Sequence, residues 1–440
     1  MPQRAELSNY ISTDAILNLP PSRIVLDSNG CMTQRIELQA LGEELKVRGM
    51  TTTSEISEAD AVIFTTCGVT TEAVNDAKSK ICGIRAQTKA PIFVGGCMPA
   101  IEGANHQLDL GENVYIFDSK ELYPIFIQRA LDTDTESTIV PFWVKNFTEK
   151  LKLRDELAQI DFRLARAYEQ MTDGLYIANE MKNPVKLRVS SGCNSHCTYC
   201  AIPKARGKHE TTPPQILTNA ISQAKLAGFN RIILNGENLG QYGVDVKKDK
   251  IKFNELLRML VEVNPNVELS ARYIEPPYVI RFSSTLIDLA KKGNIYYIGI
   301  PIQSGSESVL KRMHRSTKIS DFMPVFKQLR DIDGLYLGTM FINGFPGETL
   351  EDHKKSLDLI NEMDFDLVNC QPFSVRPGTP AEVMPNQIST EEKNRRYQEM
   401  MSVIRRQKQK RLTYYIDNYL GTRETSSEQK KTLQKMFDIE

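Results

Sequence analysis

Long apolar runs are absent from this 440-residue chain. No stretch approaches the roughly 18 apolar residues of a membrane-crossing helix, so a soluble protein with no membrane partner is expected. Excess charge of either sign is absent too. The 55 Lys and Arg balance 55 Asp and Glu, which removes any global field drawing the chain to nucleic acid. Cysteine is sparse: eight residues are too few for a disulfide scaffold. Tryptophan occurs once, at Trp143, expected as a packing anchor. Met1 to Asp14 is polar and holds no hydrophobic signal core, making the cytoplasm the expected compartment. What remains is ample: 41% hydrophobic residues support folded cores, and the length suits two or three domains.

Three of the eight cysteines sit in one loop, Ser190-Ser191-Gly192-Cys193-Asn194-Ser195-His196-Cys197-Thr198-Tyr199-Cys200, just after the strand-like run Lys186–Ser190. Iron–sulfur clusters usually take four thiolates, so three at C-x3-C-x2-C spacing suggest a cluster with one iron open to a ligand. A zinc knuckle completed by His196 is the competing reading, but zinc pairs normally come as two separated arms. The loop resembles the cluster loop of radical S-adenosylmethionine (SAM) enzymes. Ile202-Pro203 and Arg206-Gly207 narrow the resemblance to the methylthiotransferases. It implies that Cys193, Cys197 and Cys200 hold a [4Fe–4S] cluster that chelates SAM, with Tyr199 and Arg206 beside the cofactor.

Residues 1–22 read as a poorly structured lead-in, an N-terminal extension. Over 23–130, apolar strand-like runs at Arg23–Asp27, Ala61–Thr66 and Pro91–Gly96 alternate with helical periodicity, the pattern of a doubly wound parallel α/β domain. Cys31, Cys67 and Cys97 each fall where a strand has just ended. Ligands of open α/β sheets bind at that edge, so the three thiols could meet. Spacing alone leaves burial as small hydrophobes equally open. The resemblance implies that they hold a second [4Fe–4S] cluster. Gln34 and Thr65 depart from the family's usual Asn at both places, while Cys82, mid-helix, is expected to pack.

Residues 131–185 form a linker in which Leu153, Leu157, Ile160, Leu164, Tyr168 and Met171 recur at helical steps. This helix is expected across the domains, or as a substrate or partner device. From 186 to 415, six strand–helix units suggest a partial (β/α)6 barrel with its site at the strands' C-terminal ends. Resemblance places SAM contacts there: Gly236 and Glu237 (often Gln in the family), Gln303 and Ser304, and Gly344 in Gly344-Phe345-Pro346-Gly347-Glu348-Thr349. Gly299 stands for the usual His and Met340 for the usual Asp. Arg206, Arg272 and Arg376 are candidates for an anion. The basic run Lys393–Arg411 is a solvated helix face or an RNA contact. Residues 416–440 read as a helical or disordered tail without the family's small C-terminal β-barrel (TRAM).

These features imply a radical SAM methylthiotransferase forming a C–S bond at an unactivated C–H. The expected substrate is a peptide or protein side chain first and tRNA second, with flavodoxin or ferredoxin as reducing partner. The rivals are a radical SAM peptide oxidase using the second cluster as electron relay, and a non-catalytic Fe–S factor binding RNA or protein.

Overall fold

The computed structural model describes residues 9–103, 110–132, 185–226 and 228–420. The expected connector helix around Leu153–Met171, Trp143 and the segment after residue 420 lie outside the described residues.

The first domain is a parallel sheet of β1 (Tyr10–Ile11), β2 (Arg23–Ser28), β3 (Thr51–Thr52), β4 (Ala61–Thr66), β5 (Ile92–Gly96) and β6 (Val114–Phe117), in the order β1-β6-β5-β4-β2-β3. Every residue of β4 and β5 is buried. Such strands read as continuous apolar runs because helices cover both faces. Val62 and Phe64 pack with Val74, Ala77 and Ile81 of the Thr71–Arg85 helix. The alternate residues Ala61 and Ile63 pack with Leu38, Leu41 and Leu45 of the Met32–Val47 helix. That two-sided burial is the doubly wound arrangement.

The lead-in differs from expectation. Residues 10–17 are structured: β1 pairs in parallel with β6, and the Thr13–Leu17 helix buries Ile16 completely. Two residues of strand are too short for a periodic signal, and only the neighbouring β6 makes them a strand.

The second domain opens with β7 (Val185–Arg188), then β8 (Ser190–Ser191) and β9 (Glu210–Thr211), which pair antiparallel. It continues through β10 (Arg231–Asn235), β11 (Glu268–Ala271), β12 (Ile295–Gln303), β13 (Tyr336–Asn343) and β14 (Leu367–Pro372). The six long strands are parallel in the order β14-β13-β12-β11-β10-β7. This stepwise order is that of a partial barrel. On β12, Ile298, Ile300 and Ile302 join the core shared with the helices, so Tyr297 and Gly299 face the other way. The Thr390–Leu420 helix lies against β14 through Met400, Val403 and Ile404. It crosses the expected boundary at residue 415 without a break. Among the described residues, no helix is long and apolar enough to cross a membrane.

Candidate active site: two cysteine sets at a domain interface

The first set is assembled by the sheet. Cys31 is the N-cap of the Met32–Val47 helix after β2, Cys67 follows β4, and Cys97 opens the Cys97–Glu102 helix after β5. These three strands are neighbours, so their C-terminal ends lie side by side. Backbones approach closely there: a Cβ on Gly68 would lie 2.7 Å from Met98 N and Cα. The Cys67 N–H donates to Asn29 Oδ1 at 3.0 Å, tying the loop before Cys31 to the loop bearing Cys67. Burial pushes the Cys97 thiol up to about 12, with Arg206 opposing and the Cys31 and Cys67 charges adding to the rise. Burial also raises Cys67, and Cys31 adds to it. The three sulfurs therefore lie within electrostatic reach of one another. Gln34 Nε2 lies 3.1 Å from Cys97 Sγ, while its Oε1 is buried without a partner. Thr65 instead bonds Ser28 Oγ at 2.8 Å. Cys82, expected to pack, is exposed on its helix.

The second set is local. The β8–β9 pair pinches the base of the Cys193–Cys200 loop. Gly192 has φ +72°, and a Cβ there would meet Lys208 O at 2.1 Å, so glycine is required. The Ser195 N–H points to Cys193 Sγ at 3.4 Å, and Arg315 Nη1 lies 3.6 Å from Cys197 Sγ. Burial pushes Cys200 up to about 12, and the Cys197 and Cys193 charges add to it. Among the described residues no three His, Cys, Asp or Glu side chains gather as they would on one metal ion. A single zinc needs such a gathering, whereas a cubane's thiolates bind different irons. His196 is exposed, beside the His314 ring.

The expected SAM contacts separate into two kinds. Gln303 ends β12 with φ +80°, a conformation uncommon for a residue with a Cβ, and its Oε1 is buried without a partner. A left-handed backbone together with an unsatisfied buried acceptor makes Gln303 a candidate contact residue. Gly344 has φ +71° and donates its N–H to Glu348 Oε1 at 2.9 Å. Tyr199 packs against the Val309, Met313, Phe345 and Phe373 cluster, and Gly236 lies against Ser190. Ser304, in contrast, is wholly buried and used internally, accepting from Ser306 N–H at 3.2 Å.

Glu237 and Arg206 belong to a buried network that sequence reasoning did not find. Arg206 Nη2 contacts Glu37 Oε2 at 2.6 Å, and Arg188 Nη2 contacts Glu237 Oε1 at 2.9 Å. Arg188 Nε to Glu37 and Arg206 Nε to Glu237 close the ring at 3.4 and 3.6 Å. Two cations and two carboxylates thus neutralise one another between the helix begun by Cys31 and the second domain. Burial would raise Glu237, but Arg188 and Arg206 overcome that and hold it below the usual carboxylate range. Arg188 ends β7, a short run that also carries Lys186, so a second basic residue there gave little sign of the network. Arg376 is likewise committed, to Gly68 O, Glu102 and Thr71 across the interface. Arg272 lines a cavity of about 370 Å³ on the inner strand face with Tyr297, Gly299 and Met340. Tyr297 reaches across β13 there, since a Cβ on Gly338 would lie 2.0 Å from its Oη.

Two family models match this arrangement. The Radical SAM superfamily covers residues 187–360, and uncharacterized protein family UPF0004 covers residues 23–117. The tRNA-2-methylthio-N(6)-dimethylallyladenosine synthase of Symbiobacterium thermophilum is 27% identical over 88% of this chain and 80% of its own length. The ribosomal protein uS12 methylthiotransferase of Lachnoclostridium phytofermentans is 27% identical over 87% and 82%. The chain belongs to the radical SAM methylthiotransferase family. It is an enzyme that transfers sulfur-containing groups, and its cofactors are SAM and two [4Fe–4S] clusters. In fold it resembles the radical SAM methyltransferase TsrM of Kitasatospora setae, with TM-score 0.54 at 13% identity over 83% of this chain and 77% of that one. Two three-thiol sets and the unsatisfied Gln303 amide fit two clusters and one polar cofactor.

Proposed function

We propose that this methylthiotransferase modifies a peptide or protein side chain. Cys193, Cys197 and Cys200 hold the cluster that binds SAM, and Cys31, Cys67 and Cys97 hold the second. Bound there, the first cluster with SAM supplies a radical able to take hydrogen from carbon, and the second supplies sulfur. The chain's part is placement. Gln303, Gly236, Gly344 and Tyr199 orient SAM, with Ser304 bracing the Gln303 turn. Glu237 and Arg206 tie that site to the Cys31 helix, so hydrogen removal and sulfur capture occur at a set separation. Thiols that must stay reduced to hold clusters call for a reducing compartment, the cytoplasm.

One observation carries the substrate class. The cations close to the two sets are already paired: Arg188, Arg206 and Arg376 are buried in ion pairs, and Arg315, beside Cys197, is held by Glu275, leaving them no role on a phosphate backbone. The residues beside Cys67 and Arg376 are the exposed Val69 and Val375, suited to a neutral side chain. On the basic helix, Arg395 and Arg396 are also paired, with Glu392, Glu399 and Glu348. A tRNA adenosine is the second reading, favoured by the names of several relatives. The test is mass spectrometry of digested tRNA and of the proteome from cells with and without the enzyme, alongside tRNA binding at about 0.15 M salt. A methylthio group gained by a polypeptide, with weak tRNA binding, is expected; a methylthiolated nucleoside with tight binding would reverse the assignment.

A further inference from the structure

A cavity of about 640 Å³ opens beside the Cys193–Cys200 loop, lined, apart from Cys197, by residues given no part above in holding SAM or sulfur. Cys197 forms part of its wall. Of the three thiols in the loop, Cys193 is buried, and only Cys197 lines this cavity. Arg281, Lys311 and Lys318 line it too, and all three are exposed. Glu275 is the one carboxylate among the described residues that line it. It is already committed to Arg315 at 3.1 Å, and Arg315 in turn reaches Cys197. Three exposed cations therefore stand around a surface path to a cluster thiol without a free carboxylate among the lining residues.

We infer that this rim is the docking surface for a small acidic one-electron carrier protein of the flavodoxin or ferredoxin type. The inference rests on the radical SAM reading above, in which an electron must enter from outside. The carrier is oxidised by one electron, the cluster is reduced by one, and no atoms move. Redox partners meet through small, weak interfaces steered by opposite charge, which three rim cations supply. A cleft lined by one sign of charge focuses the field and speeds such encounters. RNA would feel the same charge, but the site suits it less. No described residue of the first domain lines the cavity, so a substrate that must reach both cysteine sets is not served by it. Its larger rings offer no platform for bases: Tyr278 is stacked with Phe282, Phe322 is buried, and the exposed His196 and His314 rings lie tilted toward each other.

The test compares reconstituted wild type with the triple variant Arg281→Glu, Lys311→Glu, Lys318→Glu. Circular dichroism and iron content check that the variant folds and loads. Calorimetric affinity for oxidised flavodoxin should fall by about tenfold or more, and the salt dependence seen with wild type should flatten. SAM cleavage driven by reduced flavodoxin should fall in step, while cleavage driven by dithionite, which needs no docking, stays at the wild-type rate. Unchanged flavodoxin affinity in the variant would overturn the proposal. So would loss of tRNA binding with flavodoxin binding intact, which would assign the rim to RNA. Failure of wild type to cleave SAM with dithionite would instead overturn the radical reading, an outcome distinct from any failure of the docking surface.

Discussion

The two cysteine sets reach similar chemistry by opposite routes. Cys193, Cys197 and Cys200 lie within one loop, closed at its base by β8 and β9. Cys31, Cys67 and Cys97 come from three strand ends and meet only because β2, β4 and β5 are neighbours. A loop site fixes the spacing of its ligands within one short segment, although contacts to Gln241, Glu275 and Arg312 also brace that loop. A site assembled by a sheet inherits every error in strand packing, crossover and domain docking. The first should therefore tolerate distant change, and the second should not.

The sharpest way to separate the sets is to remove each in turn. Replacing Cys31, Cys67 and Cys97 with Ala should abolish sulfur transfer, leave dithionite-driven SAM cleavage, and lower bound iron from about eight to about four per chain. Replacing Cys193, Cys197 and Cys200 should abolish both reactions with the same loss of iron. Retention of all the iron in the first variant would end the two-set assignment.

A single methyl group probes the assembled set more finely. Gly68→Ala drives a Cβ into the Met98 backbone at 2.7 Å, which must part the Cys67 and Cys97 segments. Iron should fall toward about four per chain, with SAM cleavage kept. Gly83→Ala, in the same domain with nothing within 4 Å, should instead stabilise its helix by about 0.5–1 kcal/mol. If both variants kept full iron, the close backbone approach would not matter for the site.

The buried network tests whether the interface carries the assembled set. Glu37→Gln leaves two fully buried arginines facing one carboxylate, and losing a partner from such a network costs about 3–5 kcal/mol. Urea unfolding should record that drop. Loss of the exposed Arg23–Glu58 pair through Arg23→Ala should cost about 0–1 kcal/mol. Equal effects would mean that Glu37 is only another surface charge.

The smallest effect is expected on the barrel side. Burial would raise Asp352, but hydrogen bonds from Ser306, Thr349 and Ser308 win and hold it at about 2 against an ordinary 3.8. A depressed carboxylate stabilises the fold above its unfolded pKa, and that contribution fades as pH falls through about 2. Ser308→Ala should therefore cost about 1 kcal/mol at neutral pH, with the difference from wild type closing in strong acid. A difference that persisted unchanged at acid pH would assign the loss to packing.

Local chemistry determined much of this protein before any folding. The Cys193–Cys200 spacing, the strand runs of the barrel and the Thr349–Asp352 capping box depend on residues close in the chain, so their patterns survive in one dimension. The six strand–helix units expected from 186 to 415 are present as β7, β10, β11, β12, β13 and β14. Tertiary structure decided the rest. A two-residue strand such as β1 has no period to read and exists only beside β6. Glu37, Arg188, Arg206 and Glu237 are four ordinary charges until domain docking removes water from all of them and forces them to neutralise one another. Cys31, Cys67 and Cys97 share that dependence, because sheet order, which no spacing encodes, brings residues 36 and 30 positions apart back to one edge.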